Sequence, residues 1–207
     1  MRVPILCLLF SVPLLAGKSS IDPVPTYRQI TVLLDFENPH PHVPLKAMQS
    51  ELQSILSGAG VSLDLRIKDE LPADPQFGDL LIFKMKGNCS TDRLPLGAIL
   101  DERGPLASTY SSDGEMLSFG EVQCDRVRLS LQRLYGEQSV EMHSAVYGKA
   151  LGRVVAHEMY HMIANSTSHT KDGVTKSSLS PRELAQGPLR FSADTDVLLR
   201  KALKDSH

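Results

Sequence analysis

The sequence predicts an α+β fold in which a twisted mixed β-sheet with a crossover helix precedes a long helix and a small helical C-terminal part. Strand-like and helix-like apolar patterns alternate through the first half of the chain. Residues 144–165 contain no proline and carry apolar side chains at helical spacing. The 207 residues are enough for one ordinary domain with its own core.

The N-terminus has the pattern of an export signal. Arg2 supplies a positive charge, residues 3–15 are largely apolar, and small residues follow. The apolar stretch is too short to span a bilayer comfortably, which favours a cleaved signal. An uncleaved anchor is the alternative. We expect a signal peptide at 1–19, a single domain at 20–207, and a secreted protein in an extracellular or periplasmic compartment.

The two cysteines outside the signal fit this compartment. Cys7 would be removed with the signal, which leaves Cys89 and Cys124. An even pair in an oxidising compartment predicts a disulfide. Two buried free thiols are the alternative.

The charge pattern bears on possible partners. The net charge is −2 and no Lys/Arg cluster forms a basic patch, so nothing indicates nucleic-acid binding. We also expect no membrane contact once the signal is cleaved, and a monomer.

The first half predicts a strand–helix–strand–strand order. Residues 29–37 form a buried strand, 43–56 an amphipathic helix that ends in a Gly-containing turn, 61–68 an alternating strand and 79–86 a third strand. A strand–helix–strand unit implies a parallel pair with a crossover helix.

The middle of the chain is richer in short elements. Strand candidates lie at 96–100, 106–110 and 116–123, with a turn at 111–114. A helix is expected over 125–134, with Asp125 as its N-cap.

Two helices are expected after the long helix. Asn165 tolerates the left-handed conformation that ends a helix. Ser180, Pro181 and Glu183 have the spacing of a capped helix start. A terminal helix is expected over 194–203.

The long helix carries His157-Glu158-x-x-His161. Residues four apart share a helix face, so the two imidazoles would supply half of a zinc site. Glu158 lies on the adjacent flank, from which it can reach a water on the metal without binding the metal. Two core or surface histidines on an ordinary helix are the alternative.

A catalytic zinc site needs a third protein ligand and an open position. His169 is the first choice, provided that the chain turns back at Asn165. Glu183, on a predicted helix, and Asp172 are the rivals.

This pattern resembles the zincin superfamily of zinc peptidases, and most of all its metzincin branch. The resemblance rests on His157-Glu158-x-x-His161 followed by His169, and on the order of elements before them. It implies that His157, His161 and His169 bind one Zn²⁺ and that Glu158 is the general base.

The chain departs from the metzincin pattern in two ways. Ala164 and Thr167 stand where metzincins have Gly and the third His, so His169 comes two residues late. No methionine follows Met162, so the metzincin methionine turn is absent or built from other residues, such as those within 173–179. A divergent metzincin-like protein is therefore expected.

The resemblance implies a secreted zinc-dependent metalloendopeptidase acting on a peptide or protein substrate. Residues 106–110, as an exposed edge strand, could bind an extended peptide by strand addition. The alternative is a secreted zinc-binding or structural domain without peptidase activity, since closed structural sites have no open position.

Overall fold

A computed structural model describes residues 27–38, 44–90, 103–135 and 140–205. The expected signal peptide and the strand candidate at 96–100 lie outside these ranges. The strands are β1 (Arg28–Phe36), β2 (Val61–Ile67), β3 (Asp79–Lys86), β4 (Ala107–Ser112) and β5 (Glu115–Gln123). The α-helices are α1 (Leu45–Leu56), α2 (Cys124–Tyr135), α3 (Val140–Ala164), α4 (Pro181–Ala185) and α5 (Ala193–Asp205), with 3-10 turns at Ser57–Ala59 and Lys68–Glu70.

The five strands form one mixed sheet in the order β2-β1-β3-β5-β4. β1 is parallel to both β2 and β3, and β3 is parallel to β5. β4 runs antiparallel to β5 at the edge. The predicted mixed sheet and its parallel first pair joined by a crossover helix are confirmed.

The core lies between one face of the sheet and helices α1 and α3. Its fully or nearly fully buried members include Val32, Leu34, Phe83, Met85 and Val122 from the sheet, Met48, Leu52 and Ile55 from α1, and Leu151, Val155 and Met159 from α3. Because apolar side chains fill this layer, α3, whose other side bears the histidines, is held against a rigid support.

Two glycines allow α1 and α3 to touch backbone to backbone. A Cβ at Gly148 would come within 2.6 Å of the carbonyl oxygen of Pro44, and one at Gly152 within 2.8 Å of that of Met48. At the same interface the buried guanidinium of Arg153 pairs with Glu51 of α1 at 2.7 Å. These contacts fix the position of α3 relative to α1.

The hairpin between β4 and β5 turns at Asp113 and Gly114, whose φ angles are 53° and 85°. Positive φ at both central positions is typical of the two-residue turn that suits the twist of paired strands. The predicted turn at 111–114 is confirmed.

The disulfide between Cys89 and Cys124 is present and joins the chain just after β3 to the start of α2. The predicted cap is wrong, because α2 begins at Cys124 and Asp125 lies inside its first turn. The Asp125 carboxylate instead accepts a hydrogen bond from the backbone N–H of Asn88 at 3.2 Å.

The C-terminal elements follow the prediction. Ser180 and Glu183 form a reciprocal capping box at the start of α4, with Pro181 in its first turn. The terminal helix α5 packs its Leu199 into the core. Within the part of the chain that the structure describes, no helix has the length and apolarity to cross a membrane.

Candidate metal centre

His157 and His161 lie one turn apart near the end of α3, and their Nε2 atoms are 3.1 Å apart. The predicted common face is confirmed. His161 is buried and His157 is partly buried.

The other ring nitrogen of each histidine contacts a backbone carbonyl. Nδ1 of His157 lies 2.8 Å from the oxygen of Val174, and Nδ1 of His161 lies 2.6 Å from that of Ser166. A carbonyl oxygen only accepts, so each Nδ1 carries the proton and each Nε2 presents a lone pair. Two lone pairs that face each other suit a cation between them, and metal-bound histidines typically donate their second N–H in this way.

His169 joins the pair from the loop after α3. Its ring centroid lies 5.2 Å from that of His157 and 4.8 Å from that of His161. One nitrogen from each of the three rings falls within 4.8 Å of the others. This is the three-histidine group that the sequence predicted.

Asn165 makes this approach possible. It adopts a positive φ of 46° and ends the helix. Its amide oxygen accepts the N–H of Met116 at 2.7 Å, and its amide nitrogen donates to the Glu115 carboxylate. The turn is therefore anchored to the β4–β5 hairpin, and the chain is directed back across the histidines.

The rival ligands lie elsewhere. Glu183 accepts a hydrogen bond from Lys176 at 2.5 Å and bonds Ser180 in the capping box. The hydrogen bond from Lys176, followed by those from Ser180, lowers the pKa of Glu183 to about 2. Neither Glu183 nor Asp172 belongs to the histidine group found among the described residues.

The segment under His157 is Gly173–Lys176, where the resemblance would place a methionine turn. Val174 and Thr175 are fully buried there. The hydroxyls of Thr170 and Thr175 lie 2.6 Å apart and close the loop that carries His169. The contact between the Thr170 and Thr175 hydroxyls thus holds the loop that carries His169 in place.

The donor set fits zinc. Burial, with smaller contributions from the neighbouring His161 and His169, lowers the pKa of His157 to about 4. Burial and His161 also lower the pKa of His169. Neutral imidazoles are the ligand form, and tetrahedral Zn–N bonds place nitrogens about 3.3 Å apart, close to the His157–His161 spacing.

Glu158 lies beside the histidines with 6% of its surface exposed. Its Oε2 accepts a hydrogen bond from the Thr109 hydroxyl at 2.6 Å. Burial raises the pKa of Glu158, and the bond from Thr109 opposes that shift. Thr109 was not predicted from the sequence, although the alternation of β4 could have placed it on the helix-facing side.

A cavity of about 310 Å³ opens beside Glu158. It lies between the start of β4, helix α3 and the segment 176–179, and His157 and Glu158 both line it. Leu106, Val154 and Leu179 supply an apolar part of its wall, while Lys176 and three serines supply a polar part. A molecule from outside can therefore reach His157 and Glu158 through this cavity.

No protein-family model and no curated protein matches the chain. Among solved structures it is similar to an archaemetzincin from Methanopyrus kandleri, with 13% identity and a TM-score of 0.47 over 89% of this chain and 99% of that one. A likeness this distant does not assign a function. Any function has to be inferred from the side chains of the site.

Proposed function

We propose that the protein is a zinc-dependent metallopeptidase that hydrolyses peptide bonds. The observation that carries the proposal is the pair of Nε2 lone pairs of His157 and His161, set 3.1 Å apart. Both rings are fixed by Nδ1 bonds to carbonyls. His169 completes the ligand set, which leaves a fourth position open.

Zinc bound by these three histidines would polarise a peptide carbonyl and lower the pKa of a coordinated water to about 7. The protein supplies neutral imidazoles in fixed orientations. Because the ligands come from one rigid helix and one anchored loop, little reorganisation is needed on binding.

Glu158 is the general base in this proposal. It is next to a metal ligand in sequence and shares the cavity with His157. Its carboxylate takes a proton from the attacking water and then delivers it to the leaving amine. A purely structural zinc site has no use for a buried carboxylate at the mouth of such a cavity.

An extended peptide is the substrate form that the site favours. β4 is one of the two edge strands of the described sheet and lies directly beside α3, since Thr109 bonds Glu158. A peptide paired with this edge would lie across the metal-ligating face, with a side chain in the adjacent cavity. This arrangement fits cleavage within a chain, hence an endopeptidase.

Export belongs to the same proposal. A signal at 1–19 would deliver residues 20–207 as a monomeric catalytic domain to an oxidising compartment. The disulfide between Cys89 and Cys124 is compatible with that compartment.

The test combines metal analysis with a screen of unstructured peptides, with and without a chelator. We expect about one zinc ion per chain and cleavage that the chelator abolishes and zinc restores. The variant E158Q should retain zinc and lose hydrolysis. D172N, an exposed acid-to-amide change outside the histidine group, is the matched control and should cleave as the wild type does.

Three results would count against the proposal. Peptide cleavage by E158Q at the wild-type rate would remove the mechanism. Bound zinc with no cleavage of any peptide would favour a secreted zinc-binding domain. Absence of zinc from protein purified without chelators, together with no binding of added zinc, would remove both functions.

A further inference from the structure

We propose that Thr109 is a positioning residue that holds the Glu158 carboxylate in its working orientation. This inference rests on the proposed function, because it assigns a part to Thr109 in the same reaction. The contact joins the edge strand β4 to the helix that carries the metal ligands.

The contact is short and specific. The Thr109 hydroxyl lies 2.6 Å from Oε2 of Glu158 and 3.5 Å from the backbone carbonyl oxygen of Glu158. Among the described residues, Thr109 is the residue that bonds this carboxylate, mainly through its hydroxyl and to a smaller extent through its backbone N–H. The short hydroxyl contact is the stronger of the two, so it sets the orientation of this buried carboxylate.

The sheet is built to bring Thr109 to this place. Thr109 pairs with Gly120 on β5. A Cβ at Gly120 would come within 2.9 Å of Cε of Met162 on α3 and within 3.0 Å of the carbonyl oxygen of Ser108. The missing side chain therefore lets the two strands approach the helix closely enough for the hydroxyl to reach Glu158.

The strand pairing also changes at this point. Thr109 pairs with Gly120 but Ser111 pairs with Met116, so β5 spans more residues than β4 between the two pairs. Such irregularities occur at sheet edges and beside active sites, where they redirect a side chain. Here the irregularity begins at the residue that bonds the general base.

The Thr109 hydroxyl makes the two oxygens of the Glu158 carboxylate different. Oε2 is held by Thr109, so Oε1 is the oxygen left to take the proton from water. Because β4 is also the strand that would bind the peptide, one element positions both the substrate and the base. A misplacement of about 1 Å at such a group costs roughly 100-fold in rate.

The variants T109V and T109S separate positioning from packing. T109V replaces the hydroxyl with a methyl group of similar size, and T109S keeps the hydroxyl. We expect T109V to lower kcat by roughly 10- to 100-fold, with KM and zinc content close to wild type. T109S should restore most of kcat. S118A, which removes an exposed hydroxyl on β5, is the control and should be unchanged.

A second readout does not depend on activity. Crystal structures should show one Glu158 conformer in the wild type and T109S, and a displaced or divided carboxylate in T109V. If T109V does not fold, T109A takes its place in both measurements, since it removes the hydroxyl without adding a methyl group.

Three outcomes would overturn the inference. The first is a wild-type kcat in T109V, and the second is a folded T109S as impaired as T109V. The third is a Glu158 carboxylate that stays in place without the hydroxyl. If the wild type itself cleaves nothing, the proposed function fails, and the conformers of Glu158 still decide whether Thr109 positions it.

Discussion

The carbonyl oxygen of Val174 lies 2.8 Å from Nδ1 of His157, although seventeen positions separate the two residues. The chain leaves α3 at Asn165, carries His169 past the helix end and returns beneath His157. This path allows a histidine that follows His161 by eight residues to reach the same point in space. It also gives His157 the hydrogen bond that fixes its ring.

Replacing His169 should weaken zinc binding. H169A removes one of three nitrogen donors, so we expect its zinc affinity to fall by more than the roughly 10- to 100-fold that loss of an outer partner costs. Competition against a chromophoric zinc chelator measures this. E183Q serves as the comparison and should bind zinc as the wild type does, because Lys176 and Ser180 occupy that carboxylate. The reverse order of affinities would make Glu183 the third ligand.

Glu183 should make the free energy of unfolding fall as the solution becomes acidic. Its pKa is about 2 in the fold, against an ordinary value of 4.5, chiefly because Lys176 and then Ser180 bond the carboxylate. The unfolded chain therefore binds more protons than the folded chain between these values. The contribution of Glu183 is complete above the unfolded pKa and disappears as the pH falls through the folded pKa.

The variant E183Q tests this linkage. We expect a lower free energy of unfolding at pH 7 and a shallower loss of stability on acidification, both measured by urea denaturation at several pH values. E70Q, at an exposed glutamate, is the matched control. An acid profile for E183Q that parallels the wild type would show that the pair with Lys176 does not stabilise the fold.

The turn at Asn165 should be sensitive to substitution. N165A forces a Cβ-bearing residue without a polar side chain to keep a φ of 46°, at a cost of about 1–2 kcal/mol. It also removes the bonds to Met116 and Glu115. N165G relieves the φ strain but not the lost bonds, so it should be less destabilised by chemical denaturation. Zinc affinity should fall too, because the neighbouring Ser166 carbonyl orients His161. Equal stability of all three proteins would contradict this account.

The disulfide should contribute measurably to stability. It closes a loop of 35 residues between Cys89 and Cys124, which corresponds to about 3–4 kcal/mol in the loop-entropy model. We expect the double variant C89A/C124A to lose a free energy of unfolding of this order in urea. Mass spectrometry after alkylation provides the check. Two alkylated thiols in the native, unreduced protein would show that the bond does not form.

The sequence by itself determined the local parts of this protein. The pairing of His157 with His161 follows from the helical period, since residues four apart share a face whatever the helix packs against. The strand and helix pattern of the first half gave a parallel pair by the same kind of local reasoning. The capping box at Ser180 and Glu183 also needed only adjacent residues.

Tertiary structure alone decided the rest of the site. His169 was preferred over Glu183 on the sequence, but only the path after Asn165 shows which side chain approaches the histidine pair. The bond from Thr109 to Glu158 joins residues 49 positions apart. It depends on how closely β4 and β5 pack against α3, which the missing side chain of Gly120 permits. Period and spacing describe one element at a time, whereas contacts between elements depend on packing distances that no local pattern contains.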